Sequence, residues 1–359
     1  MDNKTKENIQ KNIAVFQNDL RINPRLKNLF FEVTDCCNLN CLHCGSACLS
    51  SNRNYLDFKL IEKTLKEIAT TYDSKEIWVS ITGGEPMLYP KLIDAIKLSR
   101  KLGFRCGMTS NGTLITEEMA KQLSDAGLET IAVSIDGLKE THESLRKKEG
   151  CFEQALNGVE NLRKHGIEAQ VISVIHKENI HQLNEMFDFF QNFGFYSWRL
   201  INIEPIGRAR INDNLLLEVD EIKLLLDFIK DKRASSNVEM DVTFGCSHFL
   251  PLEYEHEVRD FFFQCGAGVS VASIMVNGDI ASCLDIERRP ELVQGNISTD
   301  SFTYIWENKF ENLRIDRTKN SSVCSNCEQR FICGGDSTHT WNFDKAQPNY
   351  CITKMFNKT

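Results

Sequence analysis

The amino-acid sequence predicts an α/β fold built on a parallel sheet, followed by a smaller cysteine-rich domain. Two observations predict this arrangement. Six short apolar runs between residues 29 and 205 alternate with amphipathic stretches, and such alternation favours parallel strands joined by right-handed crossovers. Cysteines concentrate at residues 36–48 and again in the last third of the chain, which indicates one site at the front and further sites in a C-terminal module.

The predicted strands lie at 29–34, 76–84, 103–112, 130–137, 167–176 and 196–205. Residues 56–72 repeat apolar side chains at the spacing of one helix face. Residues 115–127 predict another helix, with Thr116 as its N-cap and Gly127 as its end. Six such units form an open sheet or a partial (β/α)6 barrel. In both architectures the functional groups belong at the carboxyl ends of the strands.

Composition and charge limit the possible functions. The chain has 359 residues, of which 42% are apolar, enough for one large domain and a smaller one. A net charge of −8 argues against a nucleic-acid partner. Residues 1–20 lack the apolar core of a signal peptide and no apolar run approaches the length of a membrane span, so we expect a cytoplasmic protein without a membrane partner. In a reducing cytoplasm, 14 cysteines indicate metal or redox chemistry rather than disulfides.

The front cysteines lie in CCNLNCLHCGSAC, residues 36–48, directly after the first predicted strand. Structural zinc usually takes four ligands from paired knuckles, whereas three thiolates suit an iron–sulfur cluster with one iron left without a protein ligand. Cys36 and Cys48 are interpreted as small packed thiols. The three predicted cluster ligands are Cys37, Cys41 and Cys44.

This cysteine spacing, with GGEP at 83–86 after the second strand, resembles the radical S-adenosylmethionine (SAM) enzymes over residues 29–210. The resemblance implies a 4Fe-4S cluster whose open iron binds the amino and carboxylate groups of SAM. An electron from the cluster then cleaves SAM, and the 5′-deoxyadenosyl radical removes a hydrogen atom from the substrate. An electron donor such as flavodoxin or ferredoxin is implied as a partner.

The resemblance also assigns SAM contacts to the ends of successive strands. His43 is expected beside the adenine, GGEP at the methionine amino group, residues 109–111 at its carboxylate and residues 134–136 at the ribose. Arg146 matches a basic residue that often helps to hold SAM. Together the predicted cofactor-binding residues are His43, Gly83, Gly84, Glu85, Pro86, Thr109, Ser110, Asn111, Ser134, Asp136, Arg146, Ile206 and Gly207.

Several of these residues have a simpler interpretation when taken alone. The segments SIDG (134–137) and PIGR (205–208) are typical of turns, and so is Asn111 with the glycine after it. Arg146 alone is equally typical of one half of a surface ion pair. The three cysteines and GGEP have no comparable structural explanation.

The C-terminal cysteines form a second group. Cys324 and Cys327 make a C-x-x-C knuckle, and with two later cysteines they suit zinc or a cubane cluster. Residues 246–351 resemble the SPASM extension, which carries auxiliary iron–sulfur clusters. The resemblance implies one auxiliary cluster on Cys324, Cys327, Cys333 and Cys351, and another on Cys246, Cys265 and Cys283.

One residue departs from the SPASM pattern. Ser337 stands where the family has a further cysteine that completes the first auxiliary cluster. That cluster is left with an open iron, a serine ligand or a substrate ligand, or it is absent. The predicted organisation is an N-terminal segment (1–28), a radical SAM partial barrel (29–212), a helical linker (213–245) and a SPASM domain (246–359). No role is predicted for Cys106 or Cys151.

The resemblance implies a peptide or protein substrate, with a crosslink, a thioether or an epimerised residue as the product. The alternatives are a small molecule or tetrapyrrole, formylglycine formation as in sulfatase maturases, and a non-catalytic metal-binding scaffold. Asp285 is compared with the catalytic aspartate of those maturases, although Leu284 separates it from the preceding cysteine. Since residues 1–28 are too short for a leader-recognition domain, we expect a separate protein or the SPASM module to read any leader.

Overall fold

The computed structural model describes residues 3–46, 48–49, 51–235, 238–245, 247–284 and 286–356. Cys246, predicted above as a cluster ligand, and Asp285, predicted as a catalytic candidate, lie outside the described residues.

The strands of the described chain form one large sheet and one small hairpin. The large sheet has the order β10-β9-β8-β1-β2-β3-β4-β5-β6-β7. Strands β8 and β1 to β7 run parallel, while β9 and β10 are antiparallel to their neighbours. Their bounds are β1 (Asn28–Glu32), β2 (Trp78–Thr82), β3 (Arg105–Ser110), β4 (Thr130–Ser134), β5 (Ala169–Ile175), β6 (Ser197–Asn202), β7 (Asp241–Phe244), β8 (Val271–Ile274), β9 (Asp279–Ala281), β10 (Gly295–Asn296), β11 (Trp341–Asn342) and β12 (Gln347–Pro348).

Helices connect the parallel strands, and α4 begins and ends at the residues predicted for it. The side chain of Thr116 accepts a hydrogen bond from the backbone N–H of Met119, and Gly127 ends the same helix in the left-handed region. The bounds are α1 (Asn3–Ile22), α2 (Phe58–Thr71), α3 (Leu92–Lys101), α4 (Glu117–Ala126), α5 (Lys139–Arg146), α6 (Cys151–Lys164), α7 (Leu183–Phe193), α8 (Val219–Ala234), α9 (Leu252–Glu255), α10 (Phe302–Asn308), α11 (Glu311–Arg314), α12 (Arg330–Cys333) and α13 (Ile352–Phe356).

The predicted α/β class with parallel strands is confirmed, and the six predicted strands correspond to β1 to β6. The sheet is larger than predicted at both sides. The segment 213–245, predicted as a helical linker, contains α8 but also β7, which pairs with β6. On the other side β8, from the predicted SPASM region, pairs with β1. Both additions cover strand edges that would otherwise leave backbone groups unpaired.

The two faces of the parallel sheet differ in burial. On one face the alternate side chains are fully buried under helices; Trp198 of β6, for example, packs edge-on against Phe190 of α7 and Phe228 of α8. The other face, here called the open face, carries small and polar side chains that are only partly covered. Its central residues are Ser80, Thr82, Thr109, Ala132 and Ser134. A ligand can therefore lie against this face.

The helix α1 ties the N-terminal segment to the C-terminal module. The buried amide of Gln17 donates hydrogen bonds to the carbonyl of Phe263 at 3.1 Å and to that of Ile332 at 2.8 Å. Each carbonyl lies within two residues of a predicted cluster ligand, Cys265 or Cys333. The N-terminal segment is therefore part of the packing around the tail cysteines.

Candidate functional site

The front cysteines meet in one buried cluster at the carboxyl end of β1. Cys37, Cys41, Cys48 and Cys151 pack together, and Cys44 packs against them. The neighbouring Cys48 side chain is the main cause that lowers the pKa of Cys44 to about 6, and the Cys48 thiol donates to the Ser46 carbonyl at 3.8 Å. Burial raises the pKa of Cys37 to about 12. The structure thus brings the three predicted cluster cysteines together and adds two that sequence reasoning left aside.

The segment after β6 clamps this cysteine loop. Gly207 adopts φ +52°, and a Cβ there would lie 2.3 Å from the carbonyl oxygen of Cys44. The backbone N–H of Arg208 donates to that same carbonyl at 3.0 Å. Its Nε and Nη1 donate to the carbonyls of Cys41 and Cys48 at 2.7 and 2.8 Å. This segment, whose Ile206 and Gly207 are predicted SAM contacts, therefore also holds the loop of predicted cluster ligands.

The GGEP segment packs directly against the start of the cysteine loop. The backbone N–H of Gly84 donates to Thr34 at 2.7 Å, and that of Glu85 donates to Cys36 at 2.8 Å. A Cβ on Gly83 would lie 2.3 Å from the Thr34 oxygen, and one on Gly84 would lie 2.2 Å from the Cys36 oxygen. Only glycine allows this approach, which gives the two glycines a physical reason beyond their backbone freedom.

Glu85 joins three loops at the rim of the sheet. Its buried carboxylate accepts hydrogen bonds from Ser110 Oγ at 2.7 Å and from the backbone N–H groups of Asn111 and Met87 at 2.8 and 3.2 Å. Burial raises the pKa of Glu85, although these hydrogen bonds oppose the rise. The side chain of Asn111 donates to Asn38 of the cysteine loop at 2.9 Å. Pro86 begins a short 3-10 turn after it.

Asp136 and Arg146 form a buried ion pair. Arg146 Nε and Nη2 lie 2.8 and 2.6 Å from Asp136 Oδ2, and the Val174 N–H donates to Oδ1 at 2.9 Å. Burial opposes ionisation of Asp136, but Arg146 and His43 hold its pKa below the usual range. Arg146 Nη1 also lies 3.9 Å from the Cys41 sulfur. The pair is buried rather than at the surface, and the ribose contact of Asp136 stays a prediction because both of its oxygens already accept from the protein.

Three neutral histidines surround Asp136. His43 Nε2 lies 3.7 Å from Asp136 Oδ2, and His142 Nδ1 accepts a hydrogen bond from the Asp136 N–H at 3.0 Å. Burial lowers the pKa of His43 to about 4 and that of His142 to about 3, and also lowers the pKa of His176. Each ring keeps one buried nitrogen without a hydrogen-bond partner among the described residues. Sequence reasoning missed His142, which lies in α5, and His176, for which the end of the fifth strand was the available signal.

The remaining predicted SAM residues lie on the open face or next to the loop. Thr109 is exposed and Ser134 half-buried at the carboxyl ends of β3 and β4, on the side of the cysteine loop. Ile206 packs against Gly45 of that loop. The cysteines of this site form no disulfides, a guanidinium lies beside them, and the nearby imidazoles keep nitrogens without a partner among the described residues. These groups fit an iron–sulfur cluster with a polar cofactor beside it.

The tail cysteines lie around the loop that follows α12. The backbone N–H of Asp336 donates to Cys333 Sγ at 3.2 Å, and that of Thr338 donates to Cys265 Sγ at 3.3 Å. Burial raises the pKa of Cys351, and the neighbouring Cys324 and Cys327 add to the rise. The four cysteines predicted for one auxiliary cluster are thus neighbours, and Cys283 follows β9.

Ser337 is buried, and its hydroxyl donates to the carbonyl of Ser247 inside the fold. Within the described parts of the chain, no three or more His, Cys, Asp or Glu side chains are arranged to hold a single metal ion. A single zinc needs its sulfurs within about 4 Å of one another, since Zn–S bonds are about 2.3 Å long. This finding therefore concerns single-ion sites, because thiolates on a four-iron cluster stand further apart.

Comparison with known proteins agrees with this geometry. Residues 31–190 match the Radical SAM superfamily, and residues 265–328 match SPASM, an iron–sulfur cluster-binding domain. The AdoMet-dependent heme synthase of Oleidesulfovibrio alaskensis is 28% identical over 328 residues, which cover 87% of this chain and 82% of the relative. The mycofactocin maturase MftC of Mycobacterium tuberculosis (strain ATCC 25618 / H37Rv) is 26% identical over 312 residues, with 86% and 77% covered.

Two solved structures share the fold. The enzyme anSMEcpe, with bound AdoMet and the Cp18Cys peptide, has a TM-score of 0.72 at 21% identity and covers 93% of this chain and 96% of its own. SuiB of Streptococcus suis, bound to S-adenosylmethionine, has a TM-score of 0.70 at 19% identity, with 87% and 73% covered.

The fold and the cysteine site define a radical SAM enzyme. More particularly, the chain combines a radical SAM domain with a C-terminal SPASM domain. Its radical SAM domain binds a 4Fe-4S cluster and SAM, and its SPASM domain binds auxiliary iron–sulfur clusters. In the described part of the chain, every helix is too short or too polar to cross a bilayer.

Proposed function

We propose that this radical SAM enzyme removes a hydrogen atom from a carboxylate-bearing substrate that lies on the open face, with a peptide or protein as the first candidate. The observation that carries this proposal is Arg199 of β6. It is exposed, and its guanidinium makes no hydrogen bond or ion pair with any described residue. The buried acidic groups near the cysteine loop, in contrast, are already compensated.

The register of the sheet puts Arg199 on the open face. Ser134 pairs with Ile172, and Ile172 pairs with Arg199 on the next strand. Residues paired in this way point to the same side of a sheet. Trp198 and Leu200, which flank Arg199, are fully buried on the helix side. A planar guanidinium suits bidentate contact with a carboxylate, so Arg199 is placed to anchor an acidic substrate.

The cofactor, the residues around the cysteine loop and Arg199 would each have a separate role in the reaction. Bound SAM supplies the 5′-deoxyadenosyl radical, which takes hydrogen from an unactivated C–H bond. Cys37, Cys41 and Cys44 would hold the cluster, and Glu85 keeps the GGEP and Ser110–Asn111 segments in place. The glycine backbone and the neutral histidines line the cofactor side without adding charge. Arg199 would orient the substrate from across the sheet.

A tetrapyrrole is the second candidate, and the comparisons favour it specifically. Heme synthases of this type match the chain over most of their length, and a Methanosarcina barkeri Fe-coproporphyrin III synthase is 30% identical over 203 residues. The propionate side chains of a coproporphyrin carry carboxylates, as do the acidic side chains of a peptide. MftC supports the peptide candidate over a similar share of the chain. Formylglycine formation rests on Asp285 and has no described residue in its favour.

The test measures 5′-deoxyadenosine formed by anaerobically reconstituted protein with dithionite. Fe-coproporphyrin III and a precursor peptide encoded beside the gene are added separately, and the one that stimulates cleavage identifies the substrate class. In Arg199→Gln the concentration of that substrate needed for half-stimulation should rise about 10- to 100-fold, as expected for a lost charged hydrogen bond. Arg199→Lys should recover part of it.

Cleavage of SAM without substrate should not change in Arg199→Gln, because Arg199 is placed on the substrate and not on SAM. Arg25→Gln, which removes an exposed arginine ahead of β1, is the matched control and should behave as wild type. Equal responses of the two variants would contradict the carboxylate anchor. The electron donor, a leader-reading partner and the cytoplasmic location remain predictions.

A further inference from the structure

The buried cysteine cluster holds a fourth thiol on the same loop, which the proposed mechanism does not use. Cys48 is 2% exposed and packs with Cys37 and Cys41. It lies four residues after Cys44, which packs against the same cluster, and its thiol donates to the Ser46 carbonyl at 3.8 Å. Cys48 therefore lies among the three thiols that are predicted to bind one cluster, which is more than filling space in the core requires.

The backbone holds Cys48 in this position from two sides. Its carbonyl accepts from Arg208 Nη1 at 2.8 Å, and the same guanidinium binds the Cys41 carbonyl. The next residue, Leu49, pairs with Cys36 in a β-bridge and accepts a hydrogen bond from the Cys37 N–H at 3.3 Å. The loop therefore closes on its own start, and Cys48 returns to the side of the first cluster ligand.

A cationic group faces this thiol from the C-terminal module. Arg288, which follows β9 and is 40% exposed, pairs with the buried carboxylate of Glu32 at the end of β1. Both groups lie close enough to Cys48 to act on it electrostatically. Arg146 stands on the other side of the cluster, beside Cys41. Two guanidinium groups, each paired with a buried carboxylate, thus flank the cysteines and make the surroundings of the loop polar.

We propose that Cys48 is an exchangeable fourth thiolate ligand, which binds the open iron of the front cluster while SAM is absent and leaves when SAM binds. The exchange is balanced without an oxidant or reductant. The iron–sulfur bond to Cys48 breaks, and the amino nitrogen and carboxylate oxygen of SAM bind the iron. The proton that the methionine ammonium loses is taken up by the released thiolate. The cluster would then never present an open iron to water or oxygen.

The test examines the water-binding site of the iron. Protein reduced without SAM is placed in water enriched in oxygen-17 and examined by electron–nuclear double resonance. The wild type should show no oxygen-17 coupling on the front cluster, whereas Cys48→Ala should show one, because water replaces the missing thiolate. Addition of SAM should make the two spectra alike. An oxygen-17 coupling that is present in the SAM-free wild type and disappears when SAM is added would overturn the proposal, because only water on the front cluster is displaced by SAM.

SAM affinity provides a second measurement. Since SAM no longer competes with a thiolate, its dissociation constant should fall about tenfold or more in Cys48→Ala, measured by the change that SAM causes in the electron paramagnetic resonance spectrum. Cys48→Ser separates ligation from hydrogen bonding, because a hydroxyl keeps the hydrogen bond but binds iron poorly. Behaviour of Cys48→Ser like the wild type would overturn the proposal, and behaviour like Cys48→Ala would support it.

Cys151→Ala is the matched control. Cys151 is fully buried in the same cysteine cluster and lies beside Cys41, but it belongs to the start of α6 and not to the loop. Its removal should leave both the oxygen-17 signal and the SAM affinity at wild-type values. If Cys151→Ala reproduces the effect of Cys48→Ala, the effect reflects disturbed packing and the proposal fails. Iron content of each variant, measured first, confirms that the clusters are retained.

Discussion

At the scale of single residues, the site depends on groups that are buried with one specific partner. Asp136 and Arg146 are both buried, and each compensates a charge that would be costly to leave alone in the interior. Glu85 forms no ion pair with a described residue, and three hydrogen-bond donors compensate its buried carboxylate instead. Buried polar contacts therefore fix the positions of the loops at the carboxyl ends of the strands relative to one another.

The ion pair leads to the first prediction at this scale. Asp136→Asn keeps the size of the side chain but leaves Arg146 buried without a charge partner, so the free energy of unfolding in urea should fall by about 3–5 kcal/mol. Lys121→Gln, which breaks an exposed pair with Asp125, should change it by less than about 0.5 kcal/mol. Similar losses in both variants would contradict a special role for the buried pair.

At the scale of elements, the two domains are joined by caps and strand pairs. Glu67 of α2 accepts hydrogen bonds from Ser301 Oγ at 2.6 Å and from the Thr303 N–H at 2.7 Å, at the first turn of α10. A helix of the radical SAM domain thus caps a helix of the C-terminal module. The capping carboxylate is also favoured by the positive end of the helix dipole.

This cap predicts a pH dependence. Burial raises the pKa of Glu67, but the hydrogen bonds from Ser301 and Thr303 outweigh it and lower the pKa below its ordinary value of 4.5. A depressed folded-state pKa stabilises the protein above the unfolded-state pKa, and that contribution is lost as the pH falls through the folded-state pKa. Wild type should therefore melt at a higher temperature than Glu67→Gln at pH 7, with a difference that shrinks below about pH 4.5.

Glu62→Gln provides the control for this measurement. Glu62 lies on the same helix and pairs with Lys66 at the surface, so its removal should change the melting temperature less at pH 7. A difference between wild type and Glu67→Gln that stays constant from pH 7 to pH 4 would show that the charge of Glu67 plays no part.

At the scale of the whole molecule, the C-terminal module is continuous with the barrel sheet. Strand β8 pairs with β1, which carries the cysteine loop at its end, and Gln17 of α1 bonds the loops near Cys265 and Cys333. Buried His248 adds a further link, since its ring contacts Asp336 of the tail loop at 2.9 Å and Glu204 after β6 at 2.6 Å. The front and tail cysteine sites are therefore parts of one packed structure.

Because the tail cysteines are neighbours of one another and separate from the front cluster, we expect the tail to hold iron independently of the front ligands. The variant with Cys37, Cys41 and Cys44 all changed to Ala should lose SAM cleavage but keep about eight iron atoms per chain, if both auxiliary sites hold cubane clusters. About four would mean that Ser337 marks a lost first auxiliary cluster. Retained SAM cleavage in this variant would contradict the front assignment, and zinc without iron in the tail would contradict the SPASM assignment.

Residue types and their spacing were enough for the parallel α/β class, the six strands, the caps Thr116 and Gly127, and the order of the cysteine and GGEP segments along the sheet. These are local properties, because a strand period, an N-cap or a C-x3-C-x2-C loop depends on residues close in sequence. Residue types and spacing also predicted that the candidate site lies at the carboxyl ends of the strands, because this location follows from the parallel topology alone.

Long-range packing decided the rest. The pairing of β8 with β1 joins residues more than 240 positions apart, and no periodicity within either segment indicates the other. The same is true of Asp136 with Arg146 as a buried pair, of Glu67 as a cap for α10, and of Cys48 beside Cys44. Whether a charged or thiol side chain is buried, and against which partner, depends on contacts that exist only after the chain has folded, because burial and pairing set its energy together.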